Sequence, residues 1–171
     1  MDRIRSFERE EKKGFLQRFS FKNLFSRAKA PIERRSVARP QNGYDITILI
    51  VDDSKTVVFA IEKLLTTAGF KTLTANNGSD GIELAKKEKP DLILMDVVMP
   101  GINGFQATRI LRSAEESKDI PIVIISGNQM QTEKVWGERL GANGFLPKPI
   151  NRGDFFRLLG ELLDLRNYAL N

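Results

Sequence analysis

The chain has 171 residues, 41% of them hydrophobic, which is enough for one folded domain and an additional segment. It contains no cysteine and no histidine, which excludes disulfides, thiolate metal sites, histidine catalysis and a phosphohistidine donor within the chain. The net charge of +5 comes from an N-terminal arm, because residues 1–45 hold 12 Lys and Arg against 6 Asp and Glu, while residues 46–171 hold 15 against 16.

Regular structure is predicted to begin after a linker at residues 30–45, which contains two prolines and an Asn-Gly pair. Hydrophobic periodicity then predicts five strands at 46–51, 70–75, 92–95, 121–125 and 144–146, alternating with five helices at 54–68, 79–88, 104–114, 132–140 and 155–165. Ser54 is the expected N-cap of the first helix and Gly69 its stop signal. The chain is thus divided into an extension at 1–45, a domain at 46–165 and a short tail at 166–171.

The strands are short, continuous apolar runs, which indicates that both faces of the sheet are covered by helices. This pattern predicts an α/β fold, a doubly wound parallel sheet with right-handed crossovers. Phe105, Ile110 and Leu111 are expected to form the apolar side of the third helix.

Charged and hydroxyl residues occur at the carboxyl ends of four predicted strands. Asp52 and Asp53 follow the first strand, Asp96 the third, Ser126 the fourth and Lys148 the fifth. In the flavodoxin-like strand order 2-1-3-4-5, taken here from known folds, these ends converge on one crevice at the switch point of the sheet.

Three carboxylates in one crevice repel one another, and a hard divalent cation such as Mg²⁺ relieves that repulsion. A carboxylate beside such an ion can attack phosphorus, while Lys148 and Ser126 can contact phosphate oxygens. Each piece alone is more often a turn, a helix cap or a loop. Their joint placement at successive strand ends indicates a phosphoryl-transfer site.

Four segments at these positions resemble the receiver domains of response regulators, the CheY-like family. The segments are ILIVDDS (48–54), LILMDVVMPGINGF (92–105), PIVIISG (121–127) and GANGFLPKPI (141–150), and the resemblance covers roughly residues 46–165. It implies a signalling module that accepts a phosphoryl group from a histidine kinase and signals by phosphorylation-dependent protein binding. Such a module catalyses only its own phosphorylation and dephosphorylation.

The resemblance also implies a role for each matching residue. Asp96 matches the phosphoacceptor, Asp53 the direct Mg²⁺ ligand and Asp52 its partner acting through water. The backbone carbonyl of Val98 completes the protein ligands. Lys148 matches the lysine that contacts the phosphoryl group, and its bond to Pro149 is expected to be cis.

Other matching positions concern switching and the lifetime of the phosphorylated state. Ser126 and Phe145 match the hydroxyl and aromatic switch pair, and the readout face is the fourth helix, fifth strand and fifth helix. Val98 and Asn128 occupy the two positions that tune the lifetime of the acyl phosphate. Val98 cannot orient a water molecule by hydrogen bonding, so slow self-dephosphorylation is expected.

A narrower likeness is found in MPGINGFQATR (99–109) and EKVWGERLGA (133–142). These segments are similar to the single-domain receivers of the chemosensory pathway for type IV pilus twitching motility, the PilH-like regulators. Trp136 lies in the second segment, on the fourth predicted helix. It is expected either to pack partly against the core or to contact a partner on the readout face.

The N-terminal arm departs from stand-alone receivers. Residues 1–29 interleave five phenylalanines with basic residues and form no single amphipathic face. Three interpretations are open: a solvated tail, an element that docks on a partner protein or packs on its own receiver, and a contact with an anionic membrane surface. Nucleic-acid binding has no recognised motif in its support. Without a signal sequence or a membrane-spanning run, the chain is expected to be cytoplasmic, with membrane association through this arm as the alternative.

Three rival functions use related features. A haloacid-dehalogenase-like phosphatase requires a second Asp two residues after its nucleophile, where this chain has Val98. A flavodoxin-like electron carrier requires a hydroxyl- and Gly-rich loop after the first strand, where this chain has Asp52 and Asp53. The third rival, a docking protein whose receiver is never phosphorylated, is compatible with the sequence.

Overall fold

The computed structural model describes residues 45–127 and 131–163, and for residues 131–133 the backbone alone. Strands and helices alternate through this part of the chain in the order β1 (Thr47–Val51), α1 (Lys55–Ala68), β2 (Lys71–Ala75), α2 (Gly78–Glu88), β3 (Leu92–Asp96), α3 (Gly104–Ser113), β4 (Ile122–Ser126), α4 (Gln131–Arg139), β5 (Gly144–Pro147) and α5 (Arg152–Leu162). The N-terminal arm, Asn128 and the tail at 166–171 lie outside the described residues.

The strands form one sheet in the order β2-β1-β3-β4-β5, and every neighbouring pair is parallel. The predicted doubly wound α/β fold with strand order 2-1-3-4-5 is therefore confirmed. None of the helices in the described ranges is long and apolar enough to cross a membrane.

Alternating side chains of each strand build two apolar layers. On β1, Ile48 and Ile50 point into the layer shared with α1 and α5, whereas Leu49 and Val51 point into the layer shared with α2 and α3. Full burial of an aliphatic side chain of this size contributes about 1.5–3 kcal/mol relative to exposure. Because both layers are filled, the sheet is rigid and its carboxyl edge is the place where loops can carry function.

Helix boundaries follow local capping more closely than apolar periodicity. α5 begins at Arg152, earlier than predicted, because the Asn151 side chain accepts hydrogen bonds from the N–H groups of Gly153 and Asp154. Ser54 holds the cap position of α1 but makes no side-chain cap hydrogen bond. Gly69 ends α1 in the left-handed conformation with φ 98°, which confirms the predicted stop.

The predicted apolar side of α3 was wrong in part. The residues that α3 buries are Gly104, Ala107, Thr108 and Leu111, whereas Ile110 is 38% exposed. Thr108 can be buried because its hydroxyl donates to the carbonyl of Gly104 at 2.8 Å. The helix therefore presents Ile110 to solvent, one position away from Leu111 on the buried side.

Candidate functional site

Strand register brings the predicted site residues to one edge of the sheet. Val51 pairs with Met95, so Asp52 and Asp96, the next residue in each chain segment, become neighbours. On the other side of β3, Asp96 pairs with Ile125. Ser126 and Lys148 follow at the same edge.

Asp96 and Ser126 are the last residues of β3 and β4, whereas the sequence predicted that they follow those strands. Both residues are buried, and because both belong to paired strands, ladder hydrogen bonds of the sheet hold their backbone. This location fixes the Asp96 carboxylate more firmly than a loop would.

Three carboxylates converge at this edge. Asp52, Asp53 and Asp96 each offer an oxygen, and these oxygens lie within 4.8 Å of one another. The side chains of Asp52 and Asp96 are 3% and 6% exposed, whereas Asp53 is exposed. The cluster thus has two buried members and one member that faces solvent.

Lys148 joins the two buried carboxylates. Its Nζ donates to Asp52 Oδ2 and to Asp96 Oδ1, each at 2.7 Å. Burial by itself lowers the pKa of Lys148, but the hydrogen bonds and charges of the two carboxylates raise that pKa above its usual value. The ammonium therefore stays charged and holds a fixed position between the two carboxylates.

The backbone around Lys148 is tightly defined. Its N–H donates to the carbonyl of Ser126 at 2.7 Å, and the peptide bond from Lys148 to Pro149 is cis. The hydrogen bond to Ser126 holds the Lys148 backbone at the carboxyl edge of the sheet, where its side chain reaches the two carboxylates.

Asp96 has an unusual electrostatic environment. Burial raises its pKa above the usual value, and the charge of Asp52 acts in the same direction. A hydrogen bond and the charge of Lys148, together with a hydrogen bond from the backbone N–H of Val98, lower it again without cancelling the rise. Desolvation of this kind makes a carboxylate more reactive once it is ionised, because fewer water molecules stabilise its charge.

The donor set fits a hard divalent cation. When ionised, the three carboxylates carry −3 and the Lys148 ammonium carries +1, which leaves −2 on the cluster. Oxygen donors alone, with one exposed member, are the ligands that Mg²⁺ prefers. A dication therefore balances the charge that Lys148 leaves uncompensated.

The remaining predicted residues occupy different surroundings. Phe145 is half-buried on β5 and packs against the apolar layer that α2 and α3 cover. Trp136 is 57% exposed on α4 and belongs to neither apolar layer, which favours the partner-contact interpretation over core packing. Val98 is 73% exposed in the loop after β3.

One supporting motif was missed in the sequence. The side chain of Asn103 accepts from the N–H of Gln106 at 2.9 Å, and the side chain of Gln106 accepts from the N–H of Asn103 at 3.0 Å. This capping box starts α3 directly after the loop that carries Val98. An Asn followed three residues later by Gln was the available signal.

Comparison with known proteins agrees with this geometry. Residues 48–159 match the response regulator receiver domain family. Protein PilH of Pseudomonas aeruginosa is 46% identical over 116 residues, which cover 68% of this chain and 96% of PilH.

Two solved structures have the same fold. The chemotaxis protein CheY4 of Vibrio cholerae superposes with a TM-score of 0.65 at 30% identity, covering 69% of this chain and 98% of CheY4. The second is the receiver domain of the sensor histidine kinase PA1611 from Pseudomonas aeruginosa, solved with a magnesium ion coordinated in its active-site cleft. It superposes with a TM-score of 0.65 at 28% identity, covering 70% of this chain and 98% of that receiver domain. The chain therefore belongs to the response regulator receiver family, and it is a signalling module of phosphorelays.

Proposed function

We propose that this receiver accepts a phosphoryl group on the carboxylate of Asp96 from the phosphohistidine of a histidine kinase. The observation that supports this most directly is the contact of Asp96 with Lys148 at 2.7 Å, inside a carboxylate cluster at the switch point of the sheet. A buried carboxylate that contacts a lysine and lies beside two further carboxylates is suited to phosphoryl transfer with a bound metal ion. Packing of the fold alone does not require three acidic side chains in one place.

In the transfer step, a carboxylate oxygen of Asp96 bonds to phosphorus while the bond from phosphorus to the donor's imidazole nitrogen breaks. The imidazole nitrogen keeps the electron pair of that bond and takes up a proton. Lys148 then stabilises the phosphoryl oxygens as a point charge. The hydroxyl of Ser126, one residue beyond the β4 partner of Asp96, is proposed to donate to one of them. Hydrolysis of the acyl phosphate by water returns Asp96 to its free state and makes the chain its own slow phosphatase.

Asp52, Asp53, Asp96 and the backbone carbonyl of Val98 would hold Mg²⁺, which supplies charge neutralisation for the incoming phosphoryl group. Asp53 is exposed and so can change its contacts with little cost, whereas Asp52 is fixed by Lys148 and by the N–H of Ser54 at 2.9 Å. The protein therefore provides one adaptable and two fixed carboxylates.

The phosphorylated state is proposed to be read on the face formed by α4, β5 and α5. Ser126 moves toward the phosphoryl group, and the space that it leaves lets the half-buried ring of Phe145 pack further inward. Trp136, which is largely exposed on α4, is the expected anchor for a downstream protein.

The segments at 99–109 and 133–142, together with the 46% identity to protein PilH, support a role in the chemosensory pathway of type IV pilus twitching. The kinase of that pathway is the proposed donor. Residues 1–29 are proposed to add a contact with a protein or with an anionic membrane. Co-sedimentation with anionic liposomes, comparing the full chain with a shortened chain that starts at Gln41, separates these two contacts.

The central test is incubation of the full chain with acetyl phosphate and Mg²⁺, followed by intact-mass measurement. One added phosphoryl group is expected in the wild type and in Glu116→Gln, which removes an exposed carboxylate far from the cluster in sequence. None is expected in Asp96→Ala, and little in Asp53→Asn.

A wild-type mass that never changes would instead favour the rival function, a docking protein whose receiver is not phosphorylated. Adding the phosphorylated kinase in place of acetyl phosphate then distinguishes a strict donor requirement from a site that does not react. Retention of the phosphoryl group in Asp96→Ala would overturn the assignment of the phosphoacceptor.

A further inference from the structure

An open groove of about 650 Å³ lies between α2 and α3, away from the proposed readout face. Lys86 lines it from α2, Ile102 from the loop before α3, and Gln106, Arg109, Ile110 and Ser113 from α3 itself. The α3 residues follow the spacing i, i+3, i+4 and i+7, so they form one stripe along the helix. This stripe is the side of α3 that does not face the core.

Two cations of the groove, Lys86 and Arg109, have no ion pair within the part of the chain that the structure describes. No carboxylate of the described residues lies within ion-pairing distance of Lys86 or Arg109. The polar neighbours, in contrast, are occupied: Gln106 caps α3, and the Ser113 hydroxyl donates to the carbonyl of Arg109 at 2.8 Å. The groove therefore presents two positive charges without an acidic partner among the described residues, beside the apolar side chains of Ile102 and Ile110.

We infer that this α2–α3 groove docks an acidic amphipathic helix of a partner protein. The apolar face of such a helix would cover Ile102 and Ile110, and carboxylates beside that face would pair with Lys86 and Arg109. The groove runs along one helix and is open to solvent. This shape suits a helical ligand, whose side chains repeat at the same i, i+3, i+4 and i+7 spacing.

Charge complementarity favours an acidic segment of another protein over the chain's own N-terminal arm, which is basic in total. Residues 1–45 carry 12 basic and 6 acidic residues, so the arm would bring like charge to a basic groove. A partner segment rich in Asp and Glu matches the groove, and its affinity is expected to fall as salt increases.

The groove is also connected to the phosphorylation site through the loop at 97–103. Ile102 lines the groove, and the N–H of Gly104 donates to the carbonyl of Val97 at 3.1 Å, next to Asp96. A helix seated against Ile102 therefore contacts the same loop that carries Val98. Partner binding and the state of Asp96 are expected to influence each other through this loop.

The test uses two short helical peptides with the same leucine face, one carrying Glu and the other Lys on its flanks. Each is titrated into the ¹⁵N-labelled full chain, and amide shifts are followed by NMR. The Glu peptide is expected to shift amides of the groove, and Lys86→Glu combined with Arg109→Glu should weaken its binding about tenfold. Lys63→Glu, an exposed reversal on α1 at the opposite face of the sheet, should leave the affinity unchanged.

Several results would overturn the inference. These are equal binding of the two peptides, shifts confined to another face, an unchanged affinity in the double variant, and self-association of the chain that the double variant abolishes. Thermal unfolding checks that the variants are folded. Should the double reversal fail to fold, Lys86→Gln with Arg109→Gln replaces it. The affinities of the Glu and Lys peptides for this variant and for the wild type then decide whether the two charges bind the partner helix.

Discussion

Gly104 packs directly against the backbone of Asp96, with no room between them for a side chain. A Cβ atom at Gly104 would overlap the carbonyl oxygen of Asp96 and crowd the Cα of Val97. The first turn of α3 is therefore seated on the residue that carries the reactive carboxylate. The loop at 97–103 is closed by this contact and by the hydrogen bond from the N–H of Gly104 to Val97.

Gly104→Ala is expected to lower the free energy of unfolding by about 1–3 kcal/mol, because the added methyl group must displace backbone. The same shift moves Asp96, so phosphorylation by acetyl phosphate should slow as well. Gly160→Ala is the matched control, since a Cβ at Gly160 on α5 meets nothing within 4 Å. It should raise stability by about 0.5–1 kcal/mol through helix propensity. Urea denaturation measures both, and equal effects at the two glycines would contradict the proposed contact.

Lys148→Met separates metal binding from phosphoryl transfer. Without the ammonium, Asp52 and Asp96 lose their shared cation, and the metal-free protein should lose about 1–3 kcal/mol of stability, since the lysine is partly exposed. The affinity for Mg²⁺ should rise about tenfold, because a unit charge at this distance contributes on the order of 1 kcal/mol or more. Phosphorylation should nevertheless fall. Calorimetric titration with MgCl₂ gives the affinity. A weaker affinity in Lys148→Met would refute the expectation that the Lys148 ammonium and Mg²⁺ compete for the same carboxylates.

Arg112 connects the segments that precede β4 and β5, at the edge of the sheet opposite the carboxylate cluster. Its guanidinium donates to the carbonyls of Gly141, Lys118 and Ile120 and to the side chain of Asn143, at 2.6–2.8 Å. Arg112→Ala should lower the free energy of unfolding by about 2–3 kcal/mol, because two part-buried carbonyls, those of Gly141 and Ile120, lose their donor. Arg112→Lys should recover less than half of this, since one ammonium cannot reach all four acceptors.

The control for Arg112 is Arg109→Ala, one turn earlier on α3 and without an ion pair among the described residues. It should change stability by less than about 0.5 kcal/mol. Denaturant midpoints compare the three variants. A loss of stability in Arg109→Ala as large as that in Arg112→Ala would show that the Arg112 hydrogen bonds are not what stabilises this edge.

Val98→Asn should shorten the lifetime of phosphorylated Asp96 several-fold. Val98 is 73% exposed, and its backbone N–H bonds to the Asp96 carboxylate. Its side chain cannot hydrogen-bond a water molecule, whereas an amide at this position can orient one for attack. The decay of the phosphorylated mass is followed after removal of acetyl phosphate. Val135→Asn, the same exchange at an exposed position of α4, should decay like the wild type. An unchanged lifetime in Val98→Asn would reject this explanation.

The sequence by itself determined the element types, their order and the identity of the acidic residues. Apolar runs such as Leu92–Met95 predict buried strands, and Gly69 marks the end of α1, because both signals depend on a few adjacent residues. Candidate residues at strand ends could therefore be named in advance. Element boundaries were less predictable, since caps such as Asn151 stabilise polar first turns that carry no periodicity.

Only the tertiary structure decided which of these residues meet. Lys148 lies 96 residues from Asp52 in the chain. The strand order and the hydrogen bond from the Lys148 N–H to Ser126 place it at the same sheet edge, and its ammonium lies 2.7 Å from that carboxylate. Tertiary packing also decided that Ile110 faces solvent and Thr108 the core, although Ile110 was predicted to lie on the apolar side of α3. The physical reason is that burial and charge contacts depend on what other segments bring to the same place, and this is fixed by long-range pairing and not by local sequence.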